Sequence, residues 1–214
     1  MTLPPKTELL LLDFDGPVCS VFAGLPASRI ADEMRALARN NTVELTHSSD
    51  PLAVLSDAFR HPSIFAEVED YLVSKEIEAA QSSELTPEAD TIMRIASKTI
   101  PVCIVSNNSE PCINRFLERS GLRDSVQGIF GRPFRQPELM KPDPFLLHEA
   151  LRQEKVKSER AVFVGDSLSD IDAASNAGMP IVAFANNPAK EPLFSQRQVP
   201  IITHMRDLPL HLSL

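Results

Sequence analysis

The sequence is poor in cysteine, in net positive charge and in long apolar runs, and each deficit excludes a class of protein. It has three cysteines among 214 residues, an odd count without a CxxC pair, which excludes a disulfide framework and a zinc finger. A formal net charge of -8 argues against a nucleic-acid surface, because such a surface needs a basic stripe. No apolar run approaches the roughly 20 residues of a membrane span.

The first eight residues lack the basic segment and apolar core of a signal peptide. We therefore expect a cytoplasmic protein that binds neither nucleic acid nor a membrane. A monomer is the default expectation, because no long exposed apolar stripe is evident, although a dimer remains possible.

Short apolar runs alternate with helical patterns along most of the chain. This alternation predicts an α/β fold, a doubly wound Rossmann-like parallel sheet with helices on both faces. Thr86-Pro87 is typical of a helix start, with Thr86 as the N-cap. The predicted strands are Leu9–Leu12, Val102–Val105, Val126–Phe130, Ala161–Val164 and Ile181–Phe184, with a further edge strand at 200–203.

The interval from residue 20 to residue 83 contains helical patterns and no convincing strand. We interpret it as an all-helical cap domain inserted into a core domain that comprises residues 1–19 and 84–214. A helical lid over the strand ends would exclude water from chemistry there. The alternative, that these helices only thicken the fold, remains open.

Polar residues follow several predicted strands where the apolar run stops. In open parallel sheets, ligands bind beyond the carboxyl ends of the strands. Asp13 and Asp15 are two residues apart at the end of a predicted strand, in which successive side chains point to opposite faces. Both should therefore face one side while Phe14 faces the other. The candidate site residues are Asp13, Asp15, Ser106, Asn107, Lys141, Asp166 and Asp170.

This set of side chains is typical of phosphoryl-transfer chemistry. Carboxylate oxygens with an open face suit Mg²⁺, which takes a phosphate as a further ligand. The hydroxyl of Ser106 and the ammonium of Lys141 can bind the transferring phosphate. Asp13 can act as a carboxylate nucleophile that forms an aspartyl-phosphate, and Asp15 can protonate the leaving alcohol.

Each residue also has an ordinary structural interpretation. The first motif could be a turn, Lys141 a solvated surface lysine, and Asp170 an acid in the first turn of a helix. Their joint occurrence in order, each at its own strand end or helix start, favours the functional interpretation.

The chain resembles the haloacid dehalogenase-like hydrolase superfamily in four motifs: Asp13-Phe14-Asp15-Gly16, Ser106-Asn107, Lys141-Pro142-Asp143-Pro144 and the segment 165–170. The resemblance implies a nucleophilic Asp13, a general acid/base at Asp15, and phosphate contacts from Ser106 and Lys141. It also implies Mg²⁺ on Asp13, Asp166 and the Asp15 carbonyl, with Asp170 supporting the metal or Lys141. The inserted helices resemble the cap of phosphoglycolate-phosphatase-like members.

Asp15 distinguishes between branches of this superfamily. A halide leaving group needs no proton, whereas an alkoxide does, so Asp15 favours a phosphatase or phosphomutase over a dehalogenase. A non-catalytic ligand-binding relative is a further alternative. We expect a phosphatase that acts on a small phosphorylated metabolite.

A phosphomutase must also hold a second phosphate, which requires basic residues on the cap. The available side chains are Arg29, Arg35, Arg39, Arg60 and His61. Two further arginines, Arg132 and Arg135, precede Lys141 and could contact an anion.

Overall fold

The computed structural model describes residues 3–212. Within this range, eight strands are present: β1 (Leu9–Leu12), β2 (Cys19–Ser20), β3 (Glu84–Leu85), β4 (Val102–Val105), β5 (Gly128–Phe130), β6 (Ala161–Gly165), β7 (Ile181–Phe184) and β8 (Ile201–Ile202). The α-helices are α1 (Ala27–Asn40), α2 (Pro51–Ala58), α3 (Pro62–Ser82), α4 (Ala89–Ala96), α5 (Glu110–Ser120), α6 (Phe145–Glu154), α7 (Leu168–Asn176) and α8 (Glu191–Ser195).

Six of the strands form one parallel sheet in the order β5-β4-β1-β6-β7-β8. The predicted fold class is confirmed, and β8 is the expected edge strand. β1 lies between β4 and β6, so the chain segments that follow these three strands meet at one edge of the sheet. This order brings three of the four sequence motifs together.

The strand β1 is buried on both faces. Leu10 and Leu12 belong to one hydrophobic cluster, whereas Leu9 and Leu11 belong to a second cluster on the opposite face. This division follows from the alternation of side chains along a strand. A continuous leucine run is therefore the pattern that a central parallel strand requires.

Helices α1, α2 and α3 follow β1 in the chain and precede the rest of the sheet. The chain leaves the sheet through β2 and returns through β3, which pair antiparallel as a short ribbon. Ile30, Leu55 and Val68, one from each helix, are fully buried in the same hydrophobic cluster as Leu10 and Leu12. The three helices are thus packed together with one face of the sheet. Within residues 3–212, no helix combines the length and the apolar character needed to cross a bilayer.

The predicted helix start at Thr86 is wrong by two residues. Helix α4 begins at Ala89, after Glu88 adopts a left-handed conformation with φ 68°. The Thr86 hydroxyl donates instead to the carbonyl oxygen of Gly16. A long-range contact between β3 and the first motif therefore replaces the local cap.

Candidate active site

The end of β1 presents the two acidic residues of the first motif as predicted. Phe14 is fully buried and packs edge-on against Phe116, with ring centroids 5.3 Å apart. Asp13 and Asp15 both line a cavity on the other side. The Asp15 Oδ1 atom accepts a hydrogen bond of 2.9 Å from the backbone N–H of Val21, which fixes the direction of this carboxylate.

Lys141 is buried at the centre of the site. Its Nζ atom lies 2.9 Å from Asp13 Oδ1 and 2.6 Å from Asp170 Oδ1, and donates to the carbonyl oxygen of Val105 at 3.2 Å. Burial alone would lower the pKa of Lys141, but attraction from Asp13 and Asp170 outweighs it, and the pKa is raised. Lys141 is therefore a permanent cation between two carboxylates.

The loop after β4 contributes Ser106, Asn107 and Asn108. The Ser106 hydroxyl is buried at the cavity and donates to Asn108 Oδ1 at 3.2 Å. The Asn107 side chain is engaged with the backbone of Lys141, accepting from its N–H at 2.8 Å and donating to its carbonyl at 3.0 Å. The structure thus gives the Asn107 side chain a positioning contact with Lys141, a contact that the sequence did not predict.

Asp166 and Asp170 both follow β6 but lie in different environments: Asp166 lines the cavity, and Asp170 does not. Asp170 is fully buried, and its Oδ2 atom accepts from the backbone N–H groups of Asp166 and Ser167 at 3.1 and 3.0 Å. The Ser167 hydroxyl also donates to Asp170 Oδ2 at 2.6 Å and accepts from the Asp170 N–H, which completes a capping box at the start of α7. The S-x-x-D spacing is the sequence signal for this arrangement.

The site has the donor set of a divalent cation. Carboxylate oxygens of Asp13, Asp166 and Asp170 all lie within 4.8 Å of one another. Burial raises the pKa of Asp13, and the neighbouring carboxylates add to this effect while Lys141 opposes it. Burial likewise raises the pKa of Asp15 to about 6 and raises the pKa of Asp166. A cation among these groups would compensate the clustered negative charge, so the residues present fit a metal.

Two residues after β7 contact Asp166 and were missed from the sequence. Lys190 Nζ forms an ion pair with Asp166 Oδ2, and Asn186 Nδ2 donates to the same oxygen at 3.0 Å. Asn186 follows the end of a strand, so the rule used for the other strands could have identified it. Lys190 has no such signal.

The cavity has a volume of about 370 Å³. Its inner wall contains six of the seven predicted residues, all except Asp170: Asp13, Asp15, Ser106, Asn107, Lys141 and Asp166. Asp170 lies behind Lys141, where it is completely shielded from solvent. Residues between β2 and β3 form the outer wall, chiefly Phe22, Ser49, Asp50, Pro51, Leu72 and Glu76.

A buried ion-pair cluster joins α3 to the loop after β5. The Glu76 carboxylate accepts from Arg132 Nη1 at 2.8 Å and Nη2 at 3.0 Å, and from the backbone N–H of Ser109 at 3.2 Å. Arg135 pairs with Glu69 at 3.4 Å and Asp70 at 2.8 Å. The anions that Arg132 and Arg135 contact are therefore carboxylates of this chain.

The basic side chains considered for a second phosphate lie outside the cavity wall. Arg35 donates to the carbonyl oxygens of Thr46 and Ser48, and Arg29 pairs with Glu33 at 3.1 Å. The cavity lining found among residues 3–212 includes none of the five candidates, which are Arg29, Arg35, Arg39, Arg60 and His61.

Comparison with known proteins agrees with this geometry. The family model described as haloacid dehalogenase-like hydrolase matches residues 8–178. A phosphoglycolate phosphatase from Rhodospirillum rubrum is 31% identical over 101 residues, which are 47% of this chain and 41% of the relative. A 6-phosphogluconate phosphatase from Escherichia coli is 26% identical over 117 residues, 54% of this chain and 51% of the relative. The alignments span about half the length of these relatives.

Among solved structures, CbbY from Rhodobacter sphaeroides in complex with phosphate superposes with a TM-score of 0.75. It is 19% identical in sequence, and the match covers 98% of this chain and 100% of that chain. At this level of identity the likeness establishes the fold, an α/β sheet with the same overall arrangement.

Proposed function

Because the chain belongs to the haloacid dehalogenase-like hydrolase family, we propose that it is a Mg²⁺-dependent phosphatase that hydrolyses small phosphomonoesters through an aspartyl-phosphate. One observation carries the proposal. Oxygens of three carboxylates from two separate chain segments lie within 4.8 Å of one another, and Lys141 bonds two of these groups beside the Ser106 hydroxyl.

The side chains of Asp13 and Asp166 and the backbone carbonyl of Asp15 would hold the metal ion. A Mg²⁺ ion held there would offset the repulsion between the Asp13 carboxylate and the oxygens of an incoming phosphoryl group. Both carboxylate oxygens of Asp170 already accept hydrogen bonds from Lys141, Ser167 and the Asp166 N–H. We therefore assign Asp170 to positioning Lys141 and the metal-binding segment, in place of direct coordination.

The side chains divide the reaction into two steps. The Asp13 carboxylate attacks the phosphorus atom, the bond from phosphorus to the leaving oxygen breaks, and Asp15 gives that oxygen a proton. Asp15 then takes a proton from water, whose oxygen attacks the aspartyl-phosphate and releases inorganic phosphate and the Asp13 carboxylate. Lys141 and Ser106 bind phosphoryl oxygens in both steps.

We treat residues 20–83 as the cap domain of this enzyme, joined to the core through the ribbon of β2 and β3. The Asp15 carboxylate accepts a hydrogen bond from Val21, close to where this segment starts. Asp15 is thus oriented by the chain that leads into the cap. A cap in this position covers the strand ends and limits the access of water to the first step.

The proposal is tested by hydrolysis of p-nitrophenyl phosphate with Mg²⁺ and with EDTA. We expect release of p-nitrophenol by the parent protein only with the metal, and a loss of at least about 10³-fold in kcat for Asp13→Asn, which lacks the nucleophile. Asp124→Asn is the control, because it removes one exposed carboxylate outside the cavity. Equal rates in EDTA and Mg²⁺, or in the parent and Asp13→Asn, would refute the proposal.

A further inference from the structure

The residues of the outer cavity wall would contact the leaving group of a substrate. The inner wall holds the groups that would bind the phosphoryl group, so the alcohol part of a substrate must face the residues between β2 and β3. Phe22 gives this wall apolar surface with the buried Pro51 and Leu72 behind it, and Ser49 and Asp50 add exposed oxygen atoms. The chemistry of these residues therefore selects the alcohol.

Among residues 3–212, the cavity wall offers no free cation to a second anionic group. In the chain between residues 3 and 212, Lys141 is the basic side chain that lines the cavity, and it is already bonded to Asp13 and Asp170. Arg132 is buried behind the wall, where its guanidinium is bonded to Glu76 and the Asn107 carbonyl. A carboxylate or second phosphate on the substrate would lose its hydration without gaining an ion pair.

Two acidic side chains lie on the same wall. Glu76 is buried and neutralised by Arg132. Asp50 is exposed at the cavity, and its Oδ1 atom accepts from the Leu52 N–H at 2.9 Å at the start of α2. The positive end of this helix is therefore already occupied by the Asp50 carboxylate. A second anion on the substrate would meet this negative charge.

We infer that the substrate is the monophosphate of an uncharged, hydroxylated alcohol, such as a polyol or a simple sugar, and that Asp50 disfavours substrates with a second anionic group. This inference rests on the proposed phosphatase function. The cavity of about 370 Å³ lies in the range that small-molecule sites occupy, and suits a phosphate with an alcohol of about three to six carbon atoms. Aromatic and aliphatic surface can pack on the carbon face of a sugar, while Ser49 and Asp50 accept bonds from its hydroxyls. Phosphoglycolate and 6-phosphogluconate each carry a carboxylate and do not match this wall.

Paired substrates test the inference. Glycerol 3-phosphate and 3-phosphoglycerate differ by a hydroxymethyl group in place of a carboxylate, as do sorbitol 6-phosphate and 6-phosphogluconate. We expect kcat/KM to be at least about tenfold higher for the uncharged member of each pair. Equal or higher kcat/KM for the acidic members, in a protein that hydrolyses p-nitrophenyl phosphate with Mg²⁺, refutes the inferred substrate class and leaves the proposed phosphatase function standing. Failure to hydrolyse p-nitrophenyl phosphate overturns the proposed function and this inference together.

A variant tests the role of Asp50. Asp50→Asn removes the charge and keeps a residue that caps helices about equally well. We expect the preference for the uncharged member of each pair to fall by about threefold or more, whereas Asp124→Asn, which makes the same charge change outside the cavity, leaves the ratio as it is. An unchanged ratio in Asp50→Asn contradicts the role assigned to Asp50.

Discussion

At the scale of single residues, the turn after β1 depends on the absence of a side chain at Gly16. Its φ is +102°, a conformation that other residues rarely adopt, and a Cβ atom there would lie 2.3 Å from Asp166 Cγ. The glycine thus allows the first motif and the segment after β6 to approach closely enough for Asp13 and Asp166 to share an ion. Any larger residue must displace the Asp166 carboxylate.

We predict that Gly16→Ala lowers kcat for p-nitrophenyl phosphate by about 100-fold or more and raises the Mg²⁺ concentration needed for half-maximal rate, since small displacements of catalytic groups are costly. Gly121→Ala is the matched control. Its φ is also positive, +65°, but the nearest atom to the new Cβ would be Arg94 Nη2 at 3.9 Å. Both variants should lose about 1–3 kcal/mol of unfolding free energy from backbone strain. Comparable activity in the two variants would contradict the account.

A site residue could be predicted from the sequence where its position relative to a strand fixes its location in the fold. Asp13 and Asp15 follow from alternation along one strand, and Asp166 and Asp170 from their place after another strand. The contacts of Lys141 do not follow from chain position, because Asp13 precedes it by a long stretch of chain and Asp170 lies 29 residues beyond it. Lys190, which pairs with Asp166 from 24 residues away, was missed for the same reason. The family resemblance alone implied that Asp170 supports the metal or Lys141.

At the scale of elements, α3 is attached to the core by buried charges as well as by apolar packing. Glu76 is fully buried and bonds to Arg132, and it also accepts from the Ser109 N–H at the start of α5. Arg132 in turn donates to the Asn107 carbonyl at 2.8 Å. The same pair therefore links α3 to the loop that carries Ser106.

We predict that Glu76→Gln lowers the free energy of unfolding by about 3 kcal/mol, because it removes the closest counter-ion of the buried Arg132 and leaves only Glu69, whose carboxylate lies 3.9 Å away. Glu78→Gln on the same helix should change it by less than about 0.5 kcal/mol, since that exposed carboxylate pairs only with Lys75. Urea denaturation monitored by circular dichroism gives both values. Similar midpoints and slopes for the two variants would show that the buried pair does not hold α3 in place.

The strands were more predictable than the contacts between elements. Each apolar run specified a strand directly, because a strand buried on both faces needs apolar residues throughout. The start of α4 was predicted too early, since the Thr86 hydroxyl bonds to Gly16, 70 residues away. The sequence suggested that Arg132 and Arg135 could contact an anion of the substrate. Their actual partners on α3 lie 56 and 65 residues away in the chain and could not be identified from the sequence. Local patterns contain no information about such pairings.

At the scale of the whole molecule, the order of the strands produces the site. Parallel strands bring their carboxyl ends to one edge, and the central place of β1 puts Asp13 between the segments that follow β4 and β6. The sequence predicted the parallel sheet but not this order, because order depends on pairing between distant strands. In the proposed mechanism this convergence makes Asp13 a phosphoryl acceptor, with Asp15 as its acid and base.

The most direct test is to quench the reaction with p-nitrophenyl phosphate and Mg²⁺ in acid and to measure the intact protein mass. Nitrophenolate leaves without a proton, so Asp15→Asn can still form the aspartyl-phosphate but cannot activate water to hydrolyse it. We predict that a phosphoryl group accumulates on Asp15→Asn, and that none appears on the double variant Asp13→Asn/Asp15→Asn. Turnover by the parent protein with no phosphoryl adduct on Asp15→Asn, or an adduct that persists without Asp13, would contradict the account.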